Sequence, residues 1–325
     1  VLVVFHGCAS TFSFVEFEVL EPATVTLPEN VNRLVILNRA PVTLDAFREE
    51  DRENVDQIQL VLIDTLIINS ILRGLLDIFR QSPAPRFHDL VWLNDRRHDT
   101  TSLDDLILTR REVDEICTLH EAGAIVSLES YFMDLDMEVR YYPDDRVVEQ
   151  TKYYLVSTIL RWIIYLPGTP RPFDTYTIKD TLFFSEFVDG VFMGYHPTAQ
   201  MIRDAFYSGG LKYGRYLVPR WVNTSRTLFK GREEQLRQAS RQTNQGNWDS
   251  AFAIWSGLTE SSDSTLAAKA FHNMAVYYEL EDQLDSASLL VNRSLEFDTL
   301  QVVRSYKEEL DTRIMNRNEL LNQVR

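Results

Sequence analysis

What the chain has little of narrows the field first. Its two cysteines, Cys8 and Cys117, do not read as a disulfide pair. Cys117 falls on the apolar side of a predicted helix, as a small buried residue does, and Cys8 stands in a different context. No run of 18 apolar residues exists. The best candidate, residues 58–76, is broken by Gln59, Asp64, Asn69 and Arg73, so it is not a membrane span. Positive charge is scarce: 33 Lys and Arg face 48 Asp and Glu, a net charge of −15 with no basic cluster. A nucleic acid would be repelled by that balance, and flat adsorption to an anionic membrane is disfavoured. No Gly-x-Ser-x-Gly elbow is present. The glycine-rich stretch 208–214 neither follows a strand nor ends in the Gly-Lys-Ser/Thr of a phosphate loop, so glycines that let a helix approach a sheet explain it better. These absences argue against an enzyme and imply no cofactor.

What is present is a core and a repeat. Hydrophobic residues at 45% suffice for a folded interior, and 325 residues suggest two domains or one large one. Within residues 244–298, QGNWDSAFAIWSGL (245–258) is echoed by EDQLDSASLLVNRSL (281–295), and Ala287 follows Ala251 by 36 positions. Helix-turn-helix repeats of the tetratricopeptide kind have a period of about 34 residues. Ala251, Ala275 and Ala287 supply small residues where helices cross, and Trp255 and Val291 fill the gap one turn on. An ordinary pair of helical hairpins is the alternative. Residues 300–321 carry Val303, Tyr306, Leu310, Ile314 and Leu321 at helical spacing and are expected to close the array.

Ahead of the repeat the pattern alternates. Arg33–Asn38 (RLVILN) is a continuous apolar run, as in a central strand buried on both faces. Residues 52–80 predict a helix that stops before Pro83 and Pro85, and residues 86–93 a second strand. Thr109 and Glu112 fit a capping box for a helix burying Val113, Ile116 and Cys117, with Gly123 as its stop. Residues 124–131 (AIVSLESY) predict a third strand running on towards Val139. Residues 152–166 and 173–184 form a hairpin about the turn 167–170, a helix opens at Pro197, and a last strand spans Arg220–Phe229. Two strand-helix-strand crossovers demand parallel neighbours, and the hairpins add antiparallel ones. The expected fold is therefore α/β, a mixed sheet flanked by helices over residues 31–230, followed by an all-α tetratricopeptide-like helical repeat domain over 231–325. Lys230 and Gly231 mark the boundary. Residues 9–30 read as a tether becoming a strand, whose alternation at Phe12, Phe14, Val15, Phe17 and Val19 lets part of it pair with the main sheet.

Candidate chemistry is thin. His88, Asp89, Asp95, His98 and Asp99 are the densest group of metal-capable side chains, but Arg96 and Arg97 oppose a cation, and a solvated loop explains the stretch better. Asp134, Asp136 and Glu138 alternate along a strand and share one face: an acid pair, or the wet side of a half-buried strand.

Residues 1–8 (VLVVFHGC) read as the tail of a secretory signal, and Gly7-Cys8 resembles a bacterial lipobox with Cys8 as the lipid acceptor. Phe5 and His6 depart from that pattern, and a stray cysteine in a strand is the alternative. With VLEPATVTLP (19–28), LVILNRAP (34–41), ILRWIIY (159–165), YGRYLVPRW (213–221) and FHNMAVYYELEDQLDSA (271–287), the chain resembles an uncharacterised, domain-of-unknown-function family of envelope lipoproteins of Bacteroidota. In that setting Ala9-Ser10-Thr11-Phe12 after the cysteine, without acidic residues, implies an outer-membrane anchor on the periplasmic side. The strand-helix order also resembles the amino-terminal domains of TolB and curli-secretion factors, a likeness of fold alone.

The expected function is a lipid-anchored, periplasm-facing scaffold that binds a protein partner through its repeats. The rival is an envelope enzyme or ligand-binding protein with a cleft in the α/β domain near His88 and residues 207–216. If the first helix of each pair lines a concave face, Lys269, His272, Asn273, Val276 and Glu279 point into the groove, with Phe271 packed inward. Glu233, Leu236, Ser240 and Thr243 do so in the first repeat. Lys269, His272 and Asn273 would hold a peptide carboxylate or backbone; a merely solvated helix face is the alternative.

Overall fold

The computed structural model describes residues 11–41, 57–83, 89–96, 107–144, 147–188 and 199–324. The described residues divide into two compact units: those within 23–220 with 322–324, and 11–22 with 221–321. The division falls before the last strand, not at Lys230 and Gly231.

The first unit is a mixed α/β region. Its sheet contains β2 (Arg33–Asn38), β3 (Asp89–Asn94), β4 (Ala124–Asp144), β5 (Val147–Tyr165) and β6 (Asp174–Val188) in the order β3-β2-β4-β5-β6. β2 runs parallel to both neighbours, with Leu34 opposite Leu90 and Ala124, while β4-β5 and β5-β6 are antiparallel. The continuous apolar run of β2 follows from coverage on both sides. Leu34 and Ile36 face α1 (Gln57–Gln81) and α3 (Ala199–Leu217), packing with Ile71, Leu75 and Phe206. Val35 and Leu37 face α2 (Arg110–His120), packing with Val113 and Cys117.

Thr109 caps α2 with the expected reciprocal bond to Glu112. The helix stops differently from expectation: Glu121 takes the left-handed conformation (φ 51°), and Gly123 is needed instead because a Cβ there would lie 2.9 Å from the Val31 Cα. In α3, Gly209 and Gly210 sit mid-helix, where glycine costs up to about 1 kcal/mol relative to alanine. Close approach accounts for them: a Cβ on Gly210 would lie 2.0 Å from the Ile71 carbonyl oxygen, and one on Gly209 2.5 Å from Leu160 Cδ1.

The second unit holds a two-stranded sheet, β1 (Phe12–Glu21) with β7 (Arg220–Phe229), and an all-helical region of five helices. The helices are α4 (Glu234–Asn244), α5 (Trp248–Leu258), α6 (Ser264–Leu280), α7 (Leu284–Phe297) and α8 (Gln301–Gln323). β1 therefore pairs with β7 and not with the main sheet. The Thr11 carbonyl accepts from Lys230 N and Gly231 N, and Phe12 meets Phe229 at 5.5 Å, so the two strands run in opposite directions.

The 36-residue repeat is present in the backbone. Gly246 (φ 79°) and Asp282 (φ 56°) turn the two hairpins at equivalent places. Asn247 N donates to the Gln242 carbonyl (2.9 Å) as Gln283 N does to that of Tyr278 (2.8 Å). Ala251, Trp255, Ala275, Ala287 and Val291 are all buried. In α8, Val303, Tyr306 and Leu310 are buried as expected, whereas Leu321 is exposed.

Candidate functional site

The residues assigned from sequence to a concave binding face do not line an open groove. β7 lies along α6, and four of the five are fully buried: His272, Asn273, Val276 and Glu279. His272 Nε2 donates to the Thr227 carbonyl at 2.8 Å. Asn273 accepts from Phe229 N and donates to Phe229 O, both at 2.8 Å. Val276 belongs to the helical core. Lys269, half-buried, lies 3.4 Å from Glu233. In the first repeat Leu236 and Ser240 are also buried. Spacing puts these residues on one helix face, but the unit's own strand β7 fills the groove they would line.

Glu279 organises the deepest charges of this unit. Its carboxylate accepts from Arg226 Nε and Nη2, both at 2.9 Å, and from Arg313 Nη1 at 3.0 Å. Arg226 also reaches Glu309 at 2.7 Å, and both guanidiniums lie 5.6 Å from the Phe17 ring of β1. Beside them a cleft of about 500 Å³ is lined by Leu20, Asn223, Arg226, Thr312, Arg313 and Asn316 among others. The two arginines that border it are already engaged with carboxylates, so it offers no free cation to a ligand.

In the α/β unit, polar groups gather at the carboxyl ends of β2 and β3, level with Glu129 of β4; the crossover from β2 to β3 carries α1 on one face of the sheet, and that from β3 to β4 carries α2 on the other. Ligands of open α/β sheets bind in such places. Arg39 and Glu129 are fully buried there, with Nη1 3.6 Å from Oε1. Glu129 occupies an irregularity in the β4-β5 register between Leu128 and Ser130, a device that re-aims a side chain. Burial raises the Glu129 carboxyl above the ordinary range, against the pull of Arg39 and of the Ser127 and Tyr165 hydroxyls. Nearby, Asp64 accepts from the Tyr131 hydroxyl and from Arg96 Nη1 at 2.6 Å. None of these residues has a site role in the sequence reading, where Asp64 only breaks an apolar run and Arg96 only opposes a cation. A glutamate inside the apolar run AIVSLES, with an arginine closing the neighbouring strand, was the available signal.

The 207–216 segment is a packing face. Burial alone would raise the Asp180 carboxyl, but Lys212 at 2.5 Å and Ser208 at 2.6 Å outweigh it and hold it below its usual range. Tyr216 stacks on Tyr176 at 4.0 Å, and Tyr213 on Trp162 at 4.2 Å. Cys117 is buried, and desolvation, with Asp114 second, pushes its thiol up to about 11, so it is no nucleophile. Cys8, His88, His98, Asp99 and Pro197 lie outside the described residues. Among the described residues no metal-holding group of His, Cys, Asp and Glu exists, and no helix is long and apolar enough to cross a membrane.

Among the described residues, one broad surface is left open. α2 covers its face of the sheet at Ile125, Ile163 and Tyr165, but the antiparallel strands continue beyond it. There Phe132, Leu155 and Phe183 are 40%, 42% and 61% exposed. Phe132 stands opposite Ile159, and Leu155 opposite both Asp136 and Phe183. Tyr153 stacks on Phe183 at 5.6 Å. Asp134, Asp136 and Glu138 share this face and are exposed, as the wet side of a strand is.

A family model described as Domain of unknown function (DUF8603) matches residues 31–229, and a second, Domain of unknown function (DUF6340), matches residues 237–312. No curated protein matches the chain. Among solved structures it is similar to a homolog of neuraminyllactose-binding hemagglutinin from Helicobacter pylori. The identity is 8%, over 68% of this chain and 93% of that chain, with a TM-score of 0.30.

Proposed function

The chain belongs to the family of the first of these domains of unknown function, whose match covers more than half of its residues, and from that premise we propose that it works as a scaffold of the cell envelope. In this reading Cys8 carries a lipid after removal of a signal peptide. The protein is held at the outer membrane facing the periplasm, as in Bacteroidota lipoproteins, and it engages a protein partner without catalysing a reaction. The carrying observation is the open face of β4, β5 and β6, where aromatic and aliphatic side chains stay exposed together. Contiguous exposed apolar surface rimmed by polar groups marks interaction sites. The helical unit is read as tetratricopeptide-like, supported by its 36-residue backbone repeat, and its groove is loaded in cis by β7.

The test is site-specific photo-crosslinking in intact cells with p-benzoylphenylalanine at Leu155. A protein adduct in the membrane fraction is expected, and Cys8→Ser should move the adduct to the soluble fraction. No adduct at Leu155 from a chain that still fractionates with membranes would remove the scaffold reading.

A second reading, a protein binding a small ligand at the carboxyl ends of the parallel strands, is favoured by the buried Arg39–Glu129 pair. It predicts ligand-induced thermal stabilisation that Glu129→Gln abolishes.

A further inference from the structure

The scaffold reading leaves the partner's chemistry open, and the open sheet face narrows it. Resting on that reading, we propose that this face receives a basic amphipathic helix of a partner protein. Two features of the face set the partner's character. The first is its apolar layout: the pairs Phe132–Ile159 and Leu155–Phe183 lie on three adjacent strands. Ile159 and Leu155 are four residues apart on β5, about 13 Å at strand rise. A helix advances about 1.5 Å per residue, so roughly nine residues, two and a half turns, reach both pairs with one apolar stripe. The opposite face of these strands is covered in the same manner by α1 and α3, and this face by α2 as far as Ile163. A further helix continues a layer that the fold already begins.

The second feature is charge. Lys179 of β6, exposed and opposite Ile159, and Arg161 of β5, half-buried, hold the far side of this face; on β4 the sign reverses, where Asp134 and Asp136 stand in a row beside the apolar pairs, both exposed. Neither makes an ion pair among the described residues. A helix carrying Lys or Arg along one flank of its apolar stripe places those groups against this row. A second copy of the chain would set the same acidic row against its own like, and an anionic lipid surface would be repelled by it, as by the net charge of −15.

The experiment uses the purified full chain and two labelled 18-residue helical peptides of equal apolar content, one Leu/Lys and one Leu/Glu, followed by fluorescence anisotropy. The Leu/Lys peptide should bind at least tenfold more tightly. Leu155→Ser with Phe183→Ser should weaken it at least tenfold. Asp134→Lys with Asp136→Lys should turn the preference towards the Leu/Glu peptide, while Glu260→Lys with Glu281→Lys, an equal charge change in the helical unit, should leave it in place. The proposal is overturned by equal effects of the two charge variants, or by no effect of the serine pair. It is overturned equally by self-association of the wild type that the serine pair abolishes, or by binding to anionic vesicles in place of the peptide. A crosslinked partner at Leu155 whose contacting segment is not a basic helix sinks this inference and leaves the scaffold reading standing. Peptide preference without any partner in cells does the reverse.

Discussion

Asn273 closes both backbone hydrogen bonds of Phe229, accepting from its N–H and donating to its carbonyl at 2.8 Å each. One side chain on a helix thereby does what a neighbouring strand would do for the edge of β7. Both backbone groups are buried, and a buried group left unpaired costs about 1–3 kcal/mol. Asn273→Ala is therefore expected to destabilise the chain by roughly 2–4 kcal/mol in chemical denaturation. Asn273→Asp should rescue little, because a carboxylate cannot donate to the Phe229 carbonyl. A loss under half a kilocalorie for Asn273→Ala would mean that β7 is not held in this way.

The Glu279 carboxylate lies between two guanidiniums and is their common counter-charge. Removing one partner of a buried ion pair costs about 3–5 kcal/mol, since the remaining charge stays desolvated. Glu279→Ala should cost that much, whereas Glu309→Ala, at a carboxylate half exposed, should cost less than about 1 kcal/mol. Equal destabilisation by the two substitutions, read by urea unfolding, would contradict this ranking.

Local rules made much of this fold legible. The β2 run, the Thr109 capping box and the 36-residue echo each depend on neighbours within a few turns, and each is found where the residues place it. Long-range pairing was not legible. β1 shows its alternation plainly, but alternation says that a strand has one apolar face, not that its partner is β7, some 200 residues away. The error at His272, Asn273 and Glu279 follows directly. Polar residues on one helix face read as solvated until a strand is known to cover them. Arg39 and Glu129 escaped notice because each lies in an otherwise apolar context, and the pairing of β2 with β4 is what joins them.

Glycine supplies a paired test of the α1–α3 contact. Gly210→Ala puts a methyl group 2.0 Å from the Ile71 carbonyl oxygen, in backbone that cannot step aside. Overpacking of this kind costs about 1–3 kcal/mol or more. Gly257, in α5, has nothing within 4 Å of its added Cβ. There alanine should raise stability by up to about 1 kcal/mol through helix propensity. Opposite signs in the two melting temperatures are expected. A neutral Gly210→Ala would contradict the close helix crossing.

His272 gives the helical unit an acid-sensitive joint. Burial takes its pKa from 6.5 down to about 4, and the hydrogen bond to Thr227 and the nearby Glu279 only partly oppose that shift. Nε2 carries the proton donated to the Thr227 carbonyl, so protonation adds an N–H at Nδ1, which is buried with no acceptor. The folded value is depressed, so between pH 6.5 and 4 the unfolded chain binds the proton that the folded chain refuses. The sign follows: stability is full above pH 6.5 and falls as the pH drops towards 4. Each pH unit in that window removes about 1.4 kcal/mol, or roughly 2 kcal/mol by pH 5. His272→Gln lacks the titration, so its stability at pH 7 should be lower but should fall less between pH 7 and 5 than that of the wild type. Urea unfolding of both proteins at the two pH values checks this. Equal losses for wild type and variant would show that His272 does not carry the acid sensitivity.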